Sequence, residues 1–494
     1  MDSFDVIVIG AGVVGPTIAT ALARQGRSVL IIERDWSRPD RIVGELMQPA
    51  GVKALKELGM VKALNNIEAI DCTGYYIKYF NDSISIGYPE KKTSQISNPI
   101  KPVSGCIEKD NDKLDSDSTI NIETWDNDDR VRGISFHHGD FIQNLRSICK
   151  HENNVTHLEG TVTKILRDEH NSNVIIGVEV KDKLGNLQNH FAKLTISCDG
   201  IYSKFRKELG NHTPHIGSYF VGISLFDAKL PAKNKGHVIL GDQAPVLIYQ
   251  ISPDETRMLC AYASTKPPSS TNNELMRYLQ GEVLPVIPIE TLPSFKKALE
   301  VGKFKIMPNQ YLPAIKQSSN KNNGLIVLGD ALNMRHPLTG GGMTVGLNDS
   351  VLLAKLLHPN YIKDLQDYKL LNQRLAIFHR KRKNLDSVIN TLSIALYSLF
   401  AADRNSLKIL QRGCFRYFEL GGECVNGPIG LLSGMLPFPM LLFNHFFSVA
   451  FYAVYLNFIF RGLLGFPIAI YEAFDTIITA IIIFTPYLWN ELVK

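Results

Sequence analysis

The residues best placed to do chemistry are Asp330 and a glycine triplet, Gly340 to Gly342, followed by Met343. The pattern predicts an apolar strand over residues 325–328 before them and a helix over residues 343–357 after them. Backbone N–H groups at a helix start attract anionic or electron-rich ligands, and glycines let a flat ligand approach the backbone. Asp330 is suited to accepting hydrogen bonds from a sugar hydroxyl. Plain loops are also rich in glycine, so this motif alone leaves a ligand site and a loop open.

The N-terminal residues carry a dinucleotide-binding fingerprint. It comprises a predicted strand, a glycine turn, a helix, a second strand and an acid, at residues 4–9, Gly10-Ala11-Gly12-Val13-Val14-Gly15, 17–25, 28–32 and Glu33. In such motifs the glycines permit a tight turn close to a pyrophosphate, and the acid binds ribose hydroxyls. The pattern does not separate NAD from FAD. A third strand, predicted over residues 194–197, enters an acidic turn at Asp199 and then a predicted helix.

Composition limits the classes of protein that this chain can be. Its 494 residues predict two or three domains, and a net charge of +5 is too small and diffuse for a nucleic-acid-binding protein. The seven cysteines lack metal-like spacing, which indicates reduced cytosolic thiols. His137 and His138 are predicted on a strand, where neighbours point to opposite faces, so no metal site is expected. The N-terminal apolar run is too short for a signal peptide, so the catalytic domain is expected to face the cytosol.

Three motifs in order, Gly-x-Gly-x-x-Gly, Asp-Gly-x-x-Ser-x-x-Arg and Gly-Asp-Ala, resemble those of the FAD-dependent aromatic-hydroxylase superfamily. Longer motifs are similar to the squalene monooxygenase (squalene epoxidase) family. They lie at Glu33-Arg34-Asp35-Trp36, residues 40–49, Phe136-His137-His138-Gly139, residues 329–346 and residues 417–425. The resemblance spans nearly the whole chain. It implies an α/β fold in which a Rossmann-type FAD-binding domain is joined to an antiparallel-sheet substrate domain and a C-terminal helical, membrane-associated region.

The fingerprint and the resemblance together give the expected site residues, with FAD as the implied cofactor. The expected cofactor-binding residues are Gly10, Gly12, Val13, Val14, Gly15, Glu33, Arg34, Arg41, Arg146, Val162, Asp199, Asp330, Gly341, Gly342 and Met343. The resemblance places Gln48 and Tyr75 on the substrate side. No side chain is expected to be catalytic, because the flavin performs the chemistry. Asp140 stands where the family usually has arginine, which puts a contact of that arginine in doubt.

The implied activity is epoxidation of squalene to (3S)-2,3-oxidosqualene in sterol synthesis. In the family, reduced flavin and O2 give a flavin C4a-hydroperoxide, which transfers one oxygen atom to an alkene once water is excluded. Only one dinucleotide site is evident, so the resemblance implies electrons from an NADPH-dependent cytochrome reductase of the endoplasmic reticulum. Two alternatives stay open: another membrane flavin enzyme acting on isoprenoids, such as a prenyl-chain reductase, and a non-catalytic regulator that binds flavin or lipid.

The predicted domains are assembled from separated segments. FAD-binding segments are expected at residues 1–70, 134–215 and 305–360, substrate-domain segments at 71–133 and 216–304, and the C-terminal region at 361–494. Within them, residues 108–130 are rich in Asp, Asn and Ser and predict a solvated insertion. Leu225, Leu247 and Tyr249 are expected on the substrate sheet, as pocket-lining or simply core residues.

The C-terminal region predicts membrane association. Residues 427–460 contain no Asp, Glu, Lys or Arg, and residues 441–460 reach about the 20 residues needed to span a bilayer. Because Asn444, His445 and several prolines interrupt the apolar sequence, helices embedded in one leaflet are favoured over full spans. The endoplasmic reticulum membrane is the expected location, with lipid droplets as a further possibility. The basic run at residues 379–383 is expected either at lipid headgroups or on a solvated helix face.

Overall fold

The computed structural model describes residues 3–89, 131–210, 213–269, 272–319 and 321–493, so the predicted insertion at residues 108–130 lies outside the described residues. The strands are β1 (Ser3–Ile9), β2 (Val29–Glu33), β3 (Leu46–Met47), β4 (Ile70–Cys72), β5 (Gly74–Tyr79), β6 (Asp82–Gly87), β7 (Gly133–Ser135), β8 (Val155–Glu159), β9 (Thr161–Arg167), β10 (Ile175–Lys181), β11 (Leu187–Ser197), β12 (His215–Phe226), β13 (Gly236–Leu240), β14 (Val246–Gln250), β15 (Glu255–Tyr262), β16 (Lys305–Tyr311) and β17 (Leu325–Val327).

The helices alternate with the strands in the first half of the chain and follow one another without strands in the last quarter. They are α1 (Val14–Arg24), α2 (Pro49–Glu57), α3 (His138–Lys150), α4 (Glu274–Tyr278), α5 (Leu292–Val301), α6 (Gly341–Leu356), α7 (Tyr368–Ala401), α8 (Asn405–Glu419), α9 (Glu423–Leu432), α10 (Pro439–Arg461) and α11 (Phe466–Val493). This order confirms the predicted fold class, an α/β protein with a C-terminal helical region.

The first sheet carries the dinucleotide fingerprint at its centre. Its order is β8-β2-β1-β11-β10-β9, with β17 paired to β11, and the pairings among β8, β2, β1, β11 and β17 are parallel. Helices α1 and α6 pack together over this sheet. Val6, Ile7 and Val8 are fully buried, which explains why β1 is an uninterrupted apolar run: a parallel strand is covered on both faces. The sheet draws strands from three separated parts of the chain.

The second sheet has the order β16-β12-β15-β14-β13-β5-β6. Its pairings are antiparallel except that between β13 and β5, which is parallel, so the predicted antiparallel sheet is mixed at this point. One face is covered by α4 and α5, where Phe295 packs near Leu225. The other face meets α7 and α8, where Leu399 and Phe415 share a core with Tyr75. A small third sheet has the order β3-β7-β4, and its Ser135 hydroxyl donates to the carbonyl oxygen of Gln250 on β14 at 2.6 Å.

The C-terminal helices lie against the second sheet. The long helix α7 meets α8 at a bend of 111°. By length and composition, residues 439–461 and 466–489 are long and apolar enough to cross a membrane, and the bent pair α7 and α8 would make a third candidate. Leu463 and Leu464, in the turn between α10 and α11, are 93% and 101% exposed. Large apolar side chains exposed in this way mark a surface for lipid or for another apolar partner.

Three local predictions are wrong. The segment after Asp199 forms only a short 3-10 helix, Arg206–Leu209, rather than a full helix. His137 is the cap residue of α3 and His138 its first residue, so the pair does not lie on a strand. In the basic run at residues 379–383, Arg380 and Lys381 are exposed as predicted, but Arg382 and Lys383 are buried rather than solvated or near headgroups. Arg382 donates to both oxygens of Asp349, at 3.0 and 2.6 Å, because a buried guanidinium needs a carboxylate partner.

Candidate active site

A cavity of about 530 Å³ lies between the two large sheets. The side towards the first sheet is formed by Val13, Asp330, Gly342 and Met343. The side towards the second sheet is mostly apolar, and is formed by Tyr75, Val238, Leu247, Tyr249 and Leu259. Arg41, Tyr202 and Lys305 also line it and are exposed, which places them at its open edge. The predicted cofactor loops therefore face an apolar wall across one shared space.

The N-terminal turn has the shape that a bound pyrophosphate requires. Gly10 has a φ of +93°, and a Cβ there would lie 2.7 Å from the carbonyl oxygen of Cys198. A Cβ on Gly15 would lie 1.9 Å from the carbonyl oxygen of Gly10, so α1 packs directly on the turn. Gly12, in contrast, has no atom within 4 Å of a Cβ. Two glycines thus make the turn possible, and the third leaves its surface open to a ligand.

Glu33 and Arg146 hold this turn from the side. The Glu33 carboxylate accepts a hydrogen bond from the backbone N–H of Ala11 at 2.6 Å. Arg146, on α3, donates to the carbonyl oxygens of Ala11 and Ser37, both at 2.8 Å, and is buried. Both predicted residues therefore lie at the turn, where Arg146 supports the backbone. Its implied contact with the cofactor stays a prediction.

Two motifs that are distant in sequence meet at Asp330. Asp199 accepts from the Ser197 hydroxyl at 2.7 Å and from the backbone N–H of Lys204 at 2.8 Å, which closes the turn after β11. That turn positions Arg206, which donates to the carbonyl oxygens of Asp330 at 3.1 Å and Ala331 at 2.8 Å. Asp199 therefore acts on the site indirectly: it shapes the turn whose arginine fixes the Asp330 backbone.

Helix α6 begins beside Asp330, and its first two glycines differ in surroundings. A Cβ on Gly341 would lie 2.3 Å from Cγ2 of Ile389 on α7, so this glycine allows two helices to approach. A Cβ on Gly342 would have no neighbour within 4 Å. Gly342 and Met343 line the cavity, so the start of α6 presents open backbone there. This arrangement suits a flat, electron-rich ring.

Gln48 and Tyr75 are in contact, but only Tyr75 lines the cavity. The Gln48 amide donates to the Tyr75 hydroxyl at 2.6 Å and to the carbonyl oxygen of Thr339 at 2.7 Å. Its carbonyl oxygen accepts from the Tyr88 hydroxyl at 2.8 Å. Gln48 is fully buried, and burial raises the pKa of Tyr75, so the phenol stays protonated at neutral pH. Gln48 thus anchors the side chain that faces the cavity.

The structure brings some of the predicted site residues to the cavity and not others. Those that line it are Val13, Arg41, Tyr75, Asp330, Gly342 and Met343. Those outside its wall are Gly10, Gly12, Val14, Gly15, Glu33, Arg34, Gln48, Arg146, Val162, Asp199 and Gly341. Of the sheet residues left open, Leu247 and Tyr249 line the cavity, whereas Leu225 is in the core on the opposite face.

Sequence reasoning missed several residues at the cavity. His138 lines it and donates from Nδ1 to the Gly44 carbonyl oxygen at 2.8 Å, and burial lowers the pKa of His138 to about 4. Arg335 lines it as well and is buried. Both residues lie within motifs that resemble those of the family. Their position near the glycines is the only feature of the sequence that indicates a place at the site. In the residues that the structure describes, no group of three His, Cys, Asp or Glu side chains is placed to hold a metal.

Asp140 has a defined role that differs from that of an arginine. It pairs with Arg38 through two hydrogen bonds, at 2.5 and 2.8 Å. Gly139 allows this approach, since a Cβ there would lie 2.6 Å from the carbonyl oxygen of Pro39. The pair ties the start of α3 to the loop that carries Arg41. The altered charge at residue 140 is therefore compensated within the chain.

Comparison with known proteins agrees with the geometry of the site. A family model described as squalene epoxidase matches residues 191–471, and one described as FAD dependent oxidoreductase matches residues 5–39. The squalene epoxidase ERG1 of Candida albicans is 68% identical over 492 residues, which cover 99% of each protein. The chain belongs to the squalene epoxidase family. The Saccharomyces cerevisiae squalene epoxidase ERG1 is 52% identical, over 99% of this chain and 96% of that protein.

Solved structures outside the squalene epoxidase family share the fold. The p-nitrophenol 4-monooxygenase PnpA from Pseudomonas putida DLL-E4 has a TM-score of 0.65 and 15% identity, covering 88% of this chain and 99% of that one. The open backbone at Gly12 and Gly342 and the acid at Glu33 fit FAD. This member of the squalene epoxidase family is a FAD-dependent monooxygenase, and FAD is its cofactor.

Proposed function

We propose that this enzyme converts squalene to (3S)-2,3-oxidosqualene in sterol biosynthesis, using O2. The observation that carries the proposal is the cavity in which Asp330, Gly342 and Met343 face the apolar side chains of the second sheet. Its volume lies in the range of about 300 to 1,000 Å³ typical of small-molecule sites. The squalene epoxidase relatives supply the substrate class.

In this proposal the protein residues bind, orient and exclude water. Bound FAD, once reduced, supplies the O2 chemistry. The open backbone at Gly342 would let the flavin ring reach the cavity, and the Asp330 carboxylate would accept hydrogen bonds from the cofactor's sugar hydroxyls. Leu247, Leu259 and the Tyr75 ring enclose the alkene without competing nucleophiles. These apolar side chains would exclude water from the cavity, which is the protein's contribution to oxygen transfer.

Electrons are proposed to come from an NADPH-dependent cytochrome reductase. The supporting observation is that one dinucleotide fingerprint, at residues 10–15, is evident in the sequence, and FAD accounts for it. Arg41, Tyr202 and Lys305 are exposed at the open edge of the cavity, which would leave that edge accessible to a partner protein. The alternatives of a prenyl-chain reductase and a non-catalytic regulator are not favoured by the family membership.

We further propose that α10 and α11 lie in one leaflet of the endoplasmic reticulum membrane or of a lipid droplet surface. Both ends of α11 contact the rest of the protein: Glu472 accepts from Asn405 at 2.9 Å, and Glu491 accepts from Tyr311 at 2.9 Å. These contacts with the rest of the protein near both ends of α11 favour a helix lying along the membrane surface over a full span. The exposed Leu463 and Leu464 then enter the acyl region.

The test is a single turnover with labelled oxygen. Detergent-purified enzyme is loaded with FAD, photoreduced without oxygen, and mixed with buffer containing 18O2 and squalene. We expect about one oxidosqualene per flavin, carrying one 18O atom. Flavin that reoxidises while squalene stays unchanged would refute squalene as the substrate. A lipid product formed before oxygen is admitted would instead support a reductase.

A further inference from the structure

A buried carboxylate lies where the last membrane-associated helix meets the catalytic body. Glu491, in the last turn of α11, has no exposed surface. One of its oxygens accepts from the Tyr311 hydroxyl at 2.9 Å and from the Asn390 amide at 3.0 Å. The other lies 3.7 Å from the Lys383 ammonium. Burial and the neighbouring Asp386 carboxylate raise the pKa of Glu491, whereas Lys383 opposes this shift. A carboxylate is seldom fully buried unless it is paired or hydrogen-bonded.

A chain of hydrogen bonds runs from Glu491 to the start of α6. The Asn390 NH2 group donates to the Glu491 carboxyl group at 3.0 Å. The Asn390 carbonyl oxygen then faces Arg335, whose Nε donates to it at 2.7 Å. The same guanidinium donates to the carbonyl oxygens of Gly341 at 3.4 Å and Gly342 at 3.2 Å. The orientation of one amide therefore connects α11 with the backbone that faces the cavity.

The surroundings make this path rigid. Asn390 is fully buried on α7, and its NH2 group also donates to the Asn333 side-chain oxygen at 3.2 Å. Arg335 is bonded to the backbone carbonyl oxygen of Asn333 at 3.1 Å as well. A packed polar network of this kind has few alternative arrangements, so loss of one member changes the positions of the others. Arg335 lines the cavity together with Gly342, so a shift of its guanidinium would change the surface that faces the cofactor.

We propose that Glu491 is a positioning residue for the FAD loop: acting through Asn390 and Arg335, it fixes the carbonyls of Gly341 and Gly342. Docking of the last turn of α11 thereby tightens FAD binding. This role goes beyond epoxidation, because it concerns cofactor retention and needs no lipid substrate. It couples the seating of the membrane-associated helix to the occupancy of the flavin site.

The test measures FAD affinity of the full-length protein in detergent, well below its unfolding temperature. We expect Glu491→Ala to raise the Kd for FAD about tenfold, with a changed visible spectrum of the remaining bound flavin. Glu491→Gln, which keeps the shape and the accepting oxygen, should stay within about threefold. Asp475→Asn is the matched control, because it removes a carboxylate from the same helix away from this network. Unchanged affinity in folded Glu491→Ala protein would overturn the proposal.

A double-mutant cycle separates this role from general destabilisation. Asn390→Ala interrupts the same path on α7 and leaves Glu491 bonded to Tyr311. The effects of Glu491→Ala and Asn390→Ala on the Kd should be strongly non-additive, because either one alone breaks the path. Additive effects would contradict the proposed connection. If Glu491→Ala does not fold, an unchanged Kd in Asn390→Ala contradicts it equally, and neither readout depends on squalene turnover.

Discussion

At the scale of single residues, hydrogen bonds between polar groups near the cavity fix the positions of those groups. Gln48 does not reach the cavity, yet it bonds Tyr75, Tyr88 and the Thr339 backbone. Each of these groups is left without that partner if the amide is removed. The side chain that faces the substrate therefore depends on a neighbour that does not.

This dependence predicts unequal effects of two substitutions. Gln48→Leu should lower the free energy of unfolding by about 2 to 4 kcal/mol, because three buried polar groups each lose a hydrogen bond to the Gln48 amide. Tyr75→Phe should cost about 1 kcal/mol, yet raise the KM for squalene severalfold with FAD still bound. Urea unfolding in detergent and steady-state kinetics measure the two quantities. Equal loss of stability in both variants would contradict the anchoring role of Gln48.

A buried ion pair on the other side of the cavity gives a second prediction. Arg257 donates to both oxygens of Glu45, at 2.6 and 2.8 Å, and both residues are buried. Arg257→Met should cost about 3 to 5 kcal/mol of unfolding free energy, because Glu45 is left as an unpaired buried charge. Burial raises the pKa of Glu45, and the bonds from Arg257 oppose that rise. The double variant Glu45→Leu/Arg257→Met should recover most of the loss; if it does not, packing rather than charge is responsible.

At the scale of elements, the first two residues of α6 have different roles. Gly341 is needed for the packing of α6 on α7, whereas Gly342 leaves backbone open for the cofactor. Gly341→Ala should cost about 1 to 3 kcal/mol, because its Cβ would meet Ile389 at 2.3 Å. Gly342→Ala should instead stabilise the FAD-free protein by about 0.5 to 1 kcal/mol, as alanine favours a helix, while weakening FAD binding. Thermal unfolding without FAD, and FAD titration, measure the two effects. The same sign of stability change in both variants would refute this assignment.

Sequence patterns predicted the elements that carry function better than the contacts between them. The run of residues 4–9, the glycine turn and Glu33 are local signals, and each predicts its element without knowledge of the rest. The sequence does not predict the burial of Arg382, because its partner Asp349 lies on another helix and no local pattern indicates that the two residues pair. The parallel pairing of β13 with β5 is equally non-local, since it joins Gly236 to Tyr75. Cofactor contacts of Arg34, Arg41, Arg146 and Val162 stay predictions.

At the scale of the whole molecule, buried histidines make stability depend on pH. Burial lowers the pKa of His336 to about 3 and that of His138 to about 4. Below about pH 6.5 these histidines bind protons in the unfolded chain but stay neutral in the folded protein. The free energy of unfolding therefore falls as the pH falls towards the pKa values of the folded state.

In this interval, each such histidine should lower the free energy of unfolding by about 1.4 kcal/mol for every unit by which the pH falls. His138→Gln should flatten the slope between pH 6 and 4.5, because the substituted side chain no longer takes up a proton on unfolding. Urea unfolding at a series of pH values measures the slopes. An unchanged slope in His138→Gln would show that this side chain does not stay neutral in the fold.

Membrane association is predicted to depend on the turn between α10 and α11. Replacing Leu463 and Leu464 with serine should reduce binding to phospholipid vesicles about tenfold, because two exposed leucines no longer enter the lipid. Leu184→Ser is the matched control, since Leu184 is 88% exposed on the turn between β10 and β11. Vesicle co-flotation measures binding. Equal loss in both proteins would argue against the turn as the insertion point.

The order of strands in the first sheet also has a consequence during synthesis. Strand β1 is made first, but its neighbour β11 ends at residue 197, and β17 ends at residue 327. At a synthesis rate of about 5 to 20 residues per second, β11 is completed roughly 10 to 40 s after the apolar β1, and the start of α6 is made later still. A ribosome-bound chain cannot complete the flavin site before these residues emerge. FAD capture is therefore a late step, and in that interval the nascent chain is a client for chaperones.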